Sequence, residues 1–540
     1  MAENAIFGIN SNLDTSGIID NLVTLQRQPI ALVEAKRSLE EAKLLSFKDL
    51  KDRLRNFKGI VNTLNTESRF LSTSGEFSNN NATDTNKVAT LTTSSLATSG
   101  TFSLTVNNLA RESKLLSSGF ASTSGTITHG VVSITVGTTI TKITIDDSND
   151  TLDGLRLAIN NSGANVQANF LNDGSSTNPV KLLVSGKETG IDNAISITAS
   201  NTLFGAGQNS IVNFTKTQSA QNASFVIDGV AVTKANNTVT DVITGTTLQL
   251  ESAGSGIITL SPDEDAIKEK IQNYVDGYNE LMVHLNSELA LTESTGETGV
   301  LFANYTVQNL QQTLRETITD QVIGTTGDFN YLSQIGIKTQ SDGTLSINDG
   351  DLSTAIATDI ANVTKLFSST GNTTNSAVTF VGFTDNTEPG TYSVKVTNGV
   401  PQLAASGTTT FTNAIGNGNF YAGATGTNAE GLNFRIGNLA NGNYGEIILS
   451  VGVAQKTNRV LARLTDASLG GPLEAEIDSA NQTVNEFDTT IKDMEERLVL
   501  FESNLRDRFT NLEVVLGRLN SQRDAFDSSI KGIQALFSGK

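Results

Sequence analysis

A long apolar repeat near the C-terminal end restricts what this chain can fold into more than any other feature of the sequence. Interrupted at Arg508 and Gln522, the repeat has alternating spacings of three and four residues. Its members are Val484, Phe487, Ile491, Met494, Leu498, Phe501, Leu505, Leu512, Val515, Leu519 and Phe526. Such spacings place every member on one face of a helix. A helix over 473–531 would be about 85 to 90 Å long, so it must pack against other helices along its length.

The N-terminal part carries a second apolar stripe of the same period. It consists of Phe47, Leu50, Leu54, Phe57, Val61 and Leu64. Pro29 precedes this stripe, and its fixed φ suits the first turn of a helix. The sequence therefore predicts a helix that begins near residue 29, after a shorter apolar stretch over 13–25.

Pairing the two stripes is the simplest way to bury both. The interface residues predicted for this stalk seam are Phe47, Leu50, Leu54, Phe57, Leu498, Phe501, Leu505, Arg508, Leu512 and Leu519. Arg508 differs from the others because a charge at a seam position lowers stability and can specify register or oligomeric state. Phe509 and Leu516 widen the apolar face toward the C-terminus, which favours more than one neighbouring helix.

The middle of the chain has the composition of β-strands. From residue 76 it is rich in Ser, Thr, Asn and Gly, and apolar residues alternate with polar ones at 101–106 and 142–145. One helix is predicted at 151–161. A second β-rich block covers 376–456, where PGTYSVKVTNG at 389–399 is similar to SGTFSLTVNNL at 99–109. The similarity indicates a repeated β unit.

Helical patterns separate the two β-rich blocks. Pro262 opens a predicted helix that runs to about residue 291, with Ser261 as its N-cap. Further helices are predicted over 300–322 and 354–367. A hairpin turn is predicted at Ser341-Asp342-Gly343.

These patterns predict an α+β multidomain protein. A terminal α-helical coiled-coil stalk would carry antiparallel all-β head domains inserted between the N- and C-terminal helices. The predicted domains are a terminal coiled-coil domain (1–45 and 480–540), a helical stalk domain (46–75, 262–371 and 457–479), a β head domain (76–120 and 220–261), a second β head domain (121–219) and an extra inserted β domain (372–456).

The composition argues against nucleic-acid and membrane binding and against most kinds of catalytic and metal site. The chain has 37 Lys and Arg against 56 Asp and Glu, a net charge of −19, and we expect no nucleic-acid or membrane partner. The chain has no Cys and two His, so it has no thiol nucleophile and few of the side chains that bind zinc. We predict no enzyme activity, no catalytic, cofactor-binding or metal-ligating residues, and no cofactor.

The remaining candidate residues have ordinary structural interpretations. His129 is predicted to be an exposed turn residue, and His284 a helix-face residue with a local hydrogen bond. The Asn348-Asp349-Gly350-Asp351 segment is only loosely like a calcium loop, since it lacks the Glu at position twelve. Carboxylates could serve a glycosidase, but sequence alone does not pair them in space.

Several segments, in order, resemble one family, the bacterial flagellar filament cap protein or hook-associated protein 2. GINSNLDTSGIIDNLVTLQRQP at 8–29 is similar to its N-terminal signature, and the most specific match is AQNASFVIDGVAVTKANNTVTDVITGTTLQL at 220–250. Other matching segments are 99–122, 189–198, DGYNEL at 276–281, 332–352 and the C-terminal repeat. The block over 372–456 departs from the shortest family members.

This resemblance implies a secreted, non-enzymatic assembly factor at the distal tip of the flagellar filament. Subunits would leave through type III export, form a homo-oligomer (a pentamer in the family), promote flagellin folding and polymerisation, and prevent loss of exported flagellin. Further partners implied by the family are hook-filament junction proteins and a flagellar export chaperone at the C-terminal helix.

Two other classes of function remain open at this point. A surface adhesin could use the β head to bind host mucin or glycans, with the coiled coil as a spacer. An extracellular hydrolase is disfavoured because the sequence lacks a catalytic constellation.

Overall fold

A computed structural model describes residues 14–81, 86–200, 212–291, 296–324, 329–465 and 471–538. The chain divides into two compact units. The helical unit comprises Met1–Glu67 with Lys270–Lys540, and the β unit comprises Ser68–Glu269. The start of the family-like N-terminal signature, residues 8–13, lies outside the described residues.

Two long helices come from the ends of the chain. The helices are α1 (Thr15–Val61), α2 (Glu67–Phe70), α3 (Leu152–Asn161), α4 (Glu264–Glu288), α5 (Tyr305–Thr319), α6 (Asp349–Phe367), α7 (Val453–Thr465) and α8 (Pro472–Ser538). Short 3-10 turns lie at Ile191–Asn193 and Leu332–Ile335.

The predicted start of the N-terminal helix near Pro29 is wrong. The helix α1 begins at Thr15, capped by the Asp14 carboxylate, which accepts a hydrogen bond from the Gly17 N–H (2.9 Å), and it continues through Pro29. Proline inside a helix deprives the carbonyl four residues earlier of its donor. Here Pro29 and Leu25 are both exposed, so water can satisfy that carbonyl.

The N-cap predicted for the central helix is also displaced. Strand pairing continues through Ser261 and Pro262, so Ser261 is not a cap. Instead the Asp263 carboxylate accepts a hydrogen bond from the Ala266 N–H (3.0 Å), and Glu264 and Asp265 supply negative charge in the first turn.

The described residues of the β unit form four antiparallel sheets. Its strands are β1 (Thr73–Asn79), β2 (Ala89–Thr93), β3 (Gly100–Asn108), β4 (Lys114–Ser117), β5 (Gly130–Val136), β6 (Thr139–Ile145), β7 (Val166–Asn172), β8 (Val180–Gly186), β9 (Ile195–Ser200), β10 (Phe214–Gln218), β11 (Ala223–Ile227), β12 (Val230–Lys234), β13 (Thr238–Val239), β14 (Thr246–Leu250) and β15 (Gly254–Pro262). The sheet orders are β1-β15-β3-β11-β12, β10-β4-β8-β7, β13-β14-β2 and β6-β5-β9.

Asp228 and Gly229 form the two-residue turn between β11 and β12. Both have positive φ, at 46° and 83°, and Ile227 pairs directly with Val230. Two consecutive left-handed residues are the geometry of a type I′ hairpin turn, which favours Asp-Gly. This turn therefore explains the Asp-Gly pair within the most specific family-like segment.

The other strands belong to the helical unit. They are β16 (Ile337–Thr339), β17 (Leu345–Ile347), β18 (Ser369–Thr373), β19 (Val378–Gly382), β20 (Gly390–Thr397), β21 (Val400–Ala405), β22 (Thr412–Asn413), β23 (Ile415–Asn417), β24 (Phe420–Ala422), β25 (Asn433–Ile436) and β26 (Gly442–Val451). Strands β16 and β17 form the predicted hairpin, and the rest form sheets of order β18-β26-β20-β21-β22 and β19-β25-β24-β23.

The repeated β unit predicted from sequence is confirmed by topology. The two similar segments are β3 and β20, and each is the central strand of a five-stranded antiparallel sheet. In both sheets the last strand, β15 or β26, lies between the first strand and the central one and then leads into a helix. The two sheets share this arrangement although they lie in different units.

The fold class is confirmed as α+β, with long terminal helices flanking antiparallel β structure. Apolar clusters of described residues fill the β regions, and they include Leu155 and Val184, Phe225 and Ile258, and Phe434. Among the described helices, none has a stretch that is both long and apolar enough to cross a bilayer.

Candidate functional site

The helices α1 and α8 run antiparallel in the helical unit. Arg37 Nε donates to Asp488 Oδ1 at 2.5 Å, and Lys51 forms an ion pair with Glu474. From the first pair to the second, α1 advances 14 residues while α8 goes back 14. The two helices therefore stay in register. Extending that register places Thr15, the start of α1, opposite about residue 510.

The second half of α1 is the buried centre of the helical unit. Phe47, Leu50, Leu54 and Phe57 are all almost completely buried. The Phe57 ring lies 5.5 Å from the Tyr274 ring of α4, and the Tyr274 ring meets the Phe367 ring edge-on at 5.9 Å. Aromatic pairs at these distances add stability beyond the area they bury.

Polar atoms inside this aromatic cluster are satisfied. The Tyr274 hydroxyl lies 2.9 Å from Thr457 Oγ1 of α7, and the Tyr278 hydroxyl donates to the Gly343 carbonyl at 3.1 Å. Burial raises the pKa of both tyrosines far above the ordinary value of 10.0, so both stay neutral. Four helices, α1, α4, α6 and α7, thus meet at one packed point.

The predicted pairing of the two halves of the seam with each other is wrong. Because α1 and α8 are antiparallel, Leu498, Phe501 and Leu505 lie beside the first half of α1, and not beside Phe47 to Phe57. They are half-buried there, as are the earlier α8 seam residues Val484, Phe487, Ile491 and Met494. A pair of helices covers only one side of such a seam, which leaves the other side available to a further helix.

The seam opens toward the end of α8. Leu512 is 42% exposed and Leu519 is 54% exposed. Arg508, predicted at a seam position, is also exposed to solvent and is not buried in a seam. Beyond them Phe526, Ile530 and Ile533 are also exposed. These residues lie past the point where the described part of α1 begins. The end of α8 therefore presents an apolar face that α1 does not cover within the described residues.

His284 differs from its predicted environment. Its side chain is 14% exposed, and its Nε2 lies 3.5 Å from Asp49 Oδ2 but makes no hydrogen bond. Burial, together with the positive charge of Arg53, lowers the pKa of His284 below 6.5, although Glu288, Asp49 and Glu280 oppose this.

We expect stability to fall on acidification because of His284. Its pKa is lower in the folded state, so the unfolded chain binds more protons once the pH drops below about 6.5. The contribution is present above pH 6.5 and is lost below it. Denaturant unfolding at pH 7.5 and 5.5 should show a smaller pH difference for His284→Gln than for the wild type. An equal difference would contradict this role.

The other candidate segments are explained locally. Asn348 caps α6 by accepting hydrogen bonds from the Gly350 and Asp351 N–H groups at 3.1 and 3.3 Å, so this segment serves a helix start. His129 is half-buried and not the exposed turn residue predicted. It lies beside Asp147 and Asp150. Together these three described residues form a group whose side chains are of metal-binding types and lie close together. His129 precedes Asp147 by 18 positions in the sequence, so no local motif joins the histidine to the two aspartates.

Comparisons with known proteins agree with the resemblance noted in the sequence. A family model described as flagellar hook-associated protein 2 C-terminus matches residues 220–521, and one for the N-terminus of the same protein matches residues 11–113. The C-terminal match alone covers more than half of the chain.

Individual relatives have low sequence identity to this chain, but their matches extend over most of its length. B-type flagellar hook-associated protein 2 from Pseudomonas aeruginosa PAO1 is 29% identical over 402 residues, covering 68% of this chain and 80% of the relative. The flagellar hook-associated protein 2 of Escherichia coli K12 is 28% identical over 400 residues, covering 70% and 83%. A crystal structure of the D1-D2-D3 domains of the E. coli flagellar cap protein FliD is 26% identical, with TM-score 0.47, covering 59% of this chain and 89% of that one.

Proposed function

The chain belongs to the flagellar hook-associated protein 2 family, and on that premise we propose that it caps the distal end of the flagellar filament. There it would act as an oligomer that promotes the folding and polymerisation of exported flagellin and keeps flagellin from escaping. The role is structural, and no reaction is assigned to it. The matched family descriptions give no support to the alternative of a surface adhesin.

The uncovered face of α8 is the observation that carries this proposal furthest. Leu512, Leu519 and Phe526 are exposed on a helix whose earlier seam residues are half-buried against α1. Large exposed apolar faces mark interaction surfaces on soluble proteins. Two kinds of neighbour could cover such a face on a cap subunit, namely other cap subunits and the flagellin below them.

Finer features of the assembly follow from the same premise as proposals. The oligomer would be a pentamer, the C-terminal helix would bind a flagellar export chaperone before export, and the cap would first assemble on hook-filament junction proteins. The five-domain division, with a coiled-coil domain of 1–45 and 480–540, is likewise retained as a proposal.

The capping role is tested by deleting the gene for this chain from the source bacterium. We expect cells without it to release flagellin into the medium and to lack filaments, as seen by immunoblotting of the medium and by electron microscopy. Expression of the full chain from a plasmid should restore filaments. Normal filaments on the deletion strain would refute the proposal.

The block over 372–456 is predicted to be dispensable for capping. Its first and last strands pair directly, with Ser369 opposite Val451 and Thr370 opposite Ser450, so the ends of the block are adjacent. It also has its own apolar cluster, which includes Phe434 and Ile447. Chains whose ends meet in this way tolerate deletion of the intervening domain.

The deletion that tests this removes residues 372–448 of the block, stops at the ladder in which Gly371 pairs with Leu449, and inserts a short Gly-Ser bridge. We expect plasmid-borne protein with this deletion to restore filament length in the deletion strain to the wild-type value. If the shortened protein is folded and exported but flagellin still appears in the medium, the block takes part in capping.

A further inference from the structure

We propose that the β unit binds a divalent metal ion such as Zn²⁺ through His129, Asp147 and Asp150. His129 immediately precedes β5, and the two aspartates lie in the loop between β6 and α3. The site lies apart from the seam residues and does not rest on the proposed capping role.

The two distances from the imidazole nitrogen to the carboxylates suit a tetrahedral ion. His129 Nε2 lies 3.4 Å from Asp147 Oδ1 and 3.6 Å from Asp150 Oδ2, and all three ligand atoms lie within 4.8 Å of one another. Ligand atoms about 2.0 to 2.1 Å from a tetrahedral Zn²⁺ are about 3.3 to 3.4 Å apart. A small movement of the exposed Asp147 side chain would complete a three-ligand set.

The imidazole Nε2 of His129 faces these two carboxylates but makes no hydrogen bond. His129 as a whole is one-third exposed, yet its Nε2 atom is buried from solvent and makes no hydrogen bond. A buried nitrogen that makes no hydrogen bond loses its hydration, and this cost needs compensation. A metal ion held between Nε2 and two carboxylates supplies that compensation.

The loop that carries the two aspartates is held in place by its own hydrogen bonds. Asn149 Oδ1 accepts from the Asp146 N–H at 2.8 Å, and Asn149 Nδ2 donates to the Thr144 carbonyl at 2.9 Å. The Asp146 carboxylate is occupied by the N–H and hydroxyl of Ser148. Asp147 and Asp150 are therefore left to face His129 from a loop whose shape is already set.

The backbone also holds Asp150 beside the segment that carries His129. The Ile127 N–H donates to the Asp150 carbonyl at 2.8 Å, two residues before His129. Because the ligands come from two segments already joined in this way, little ordering is needed on binding.

One neutral nitrogen and two carboxylates indicate which ion fits. Imidazole selects late first-row metals over Mg²⁺ and Ca²⁺, and mixed nitrogen and carboxylate ligands are common for Zn²⁺. The remaining coordination position would hold water. The bound ion would link the start of β5 to the β6–α3 loop, so it would stabilise the β unit by mass action.

The test uses the full chain without a polyhistidine tag. The sequence has two histidines, so a protein labelled at histidine gives two imidazole signals in an NMR spectrum. Titration with ZnCl₂ at pH 7.5 should shift the His129 signal and leave the His284 signal in place. Assignment comes from the His129→Asn and His284→Gln variants.

Isothermal titration calorimetry with ZnCl₂ then measures the contribution of each ligand. We expect His129→Asn and Asp147→Asn to weaken binding by at least about 10-fold. Asp147 is 99% exposed, so its substitution removes a ligand without disturbing packing. Asp153→Asn is the matched control, because that carboxylate belongs to a separate ion pair with Arg156 and should leave the affinity unchanged.

Three outcomes would overturn the proposal. The first is a His129 signal that moves with pH but not with Zn²⁺, which would make the group a plain ion pair. The second is an equal shift of both histidine signals, which would indicate unspecific binding. The third is unchanged Zn²⁺ affinity in Asp147→Asn.

Discussion

Replacing Leu512 by Asp, or Leu505 by Asp, should abolish filament growth while leaving the β head folded. In the single chain Leu512 is 42% exposed, so a carboxylate there meets water and costs little. In the assembled cap the same face would be covered by a neighbour. A charge buried without a partner in a helical seam then costs several kcal/mol. Filament length and flagellin in the medium measure the effect.

The matched control is Thr510→Asp. Thr510 is exposed on the same helix and faces away from the seam, two residues before Leu512, so it adds the same charge outside the predicted interface. Circular dichroism of all three purified variants should match the wild type. Normal filaments in cells with Leu512→Asp and Leu505→Asp would show that the seam is not an essential interface.

Truncating Phe57 to Ala should destabilise the helical unit by about 3–5 kcal/mol. The Phe57 ring is almost completely buried, and it packs on the rings of Tyr274 and Tyr278 at 5.5 and 6.4 Å. Removing it leaves a cavity where α1 meets α4, and the surrounding helices are fixed by several other contacts that limit collapse.

Hydrogen exchange at the amides of α4, measured across a denaturant series, reports this loss locally. Leu45→Ala is the control, since Leu45 is an exposed apolar residue on the same helix and should change stability by less than about 0.5 kcal/mol. Equal effects of the two substitutions would contradict the placement of Phe57 at the centre of the unit.

Local periodicity made much of this fold predictable. The spacing of Leu498, Phe501 and Leu505 predicts a helix, and alternation at 101–106 predicts a strand, because each pattern depends on residues a few positions apart. The Asp-Gly turn and the Asn348 cap are equally local. Elements of this kind are recognised from the sequence without knowing what they pack against.

Long-range relations were not predictable in the same way. Two heptad stripes match each other in either direction, so the sequence did not specify that Phe57 would lie far from Leu505. The direction is visible only through particular side-chain pairs such as Arg37 with Asp488. In the same way, His129 and Asp147 become neighbours only when β5 pairs with β6, and single-sequence patterns contain no signal for that meeting.

The unequal lengths of the two terminal helices have a consequence for when folding finishes. The helix α1 has 47 residues and α8 has 67, so the last turns of α8 have no counterpart in α1. A lone subunit would reach its packed core but leave this helical tail short of burial. Completion of the tail then depends on the local concentration of partners. We therefore expect the final step of folding to wait until the subunit reaches its place of assembly, where partners supply the burial that the described part of α1 does not.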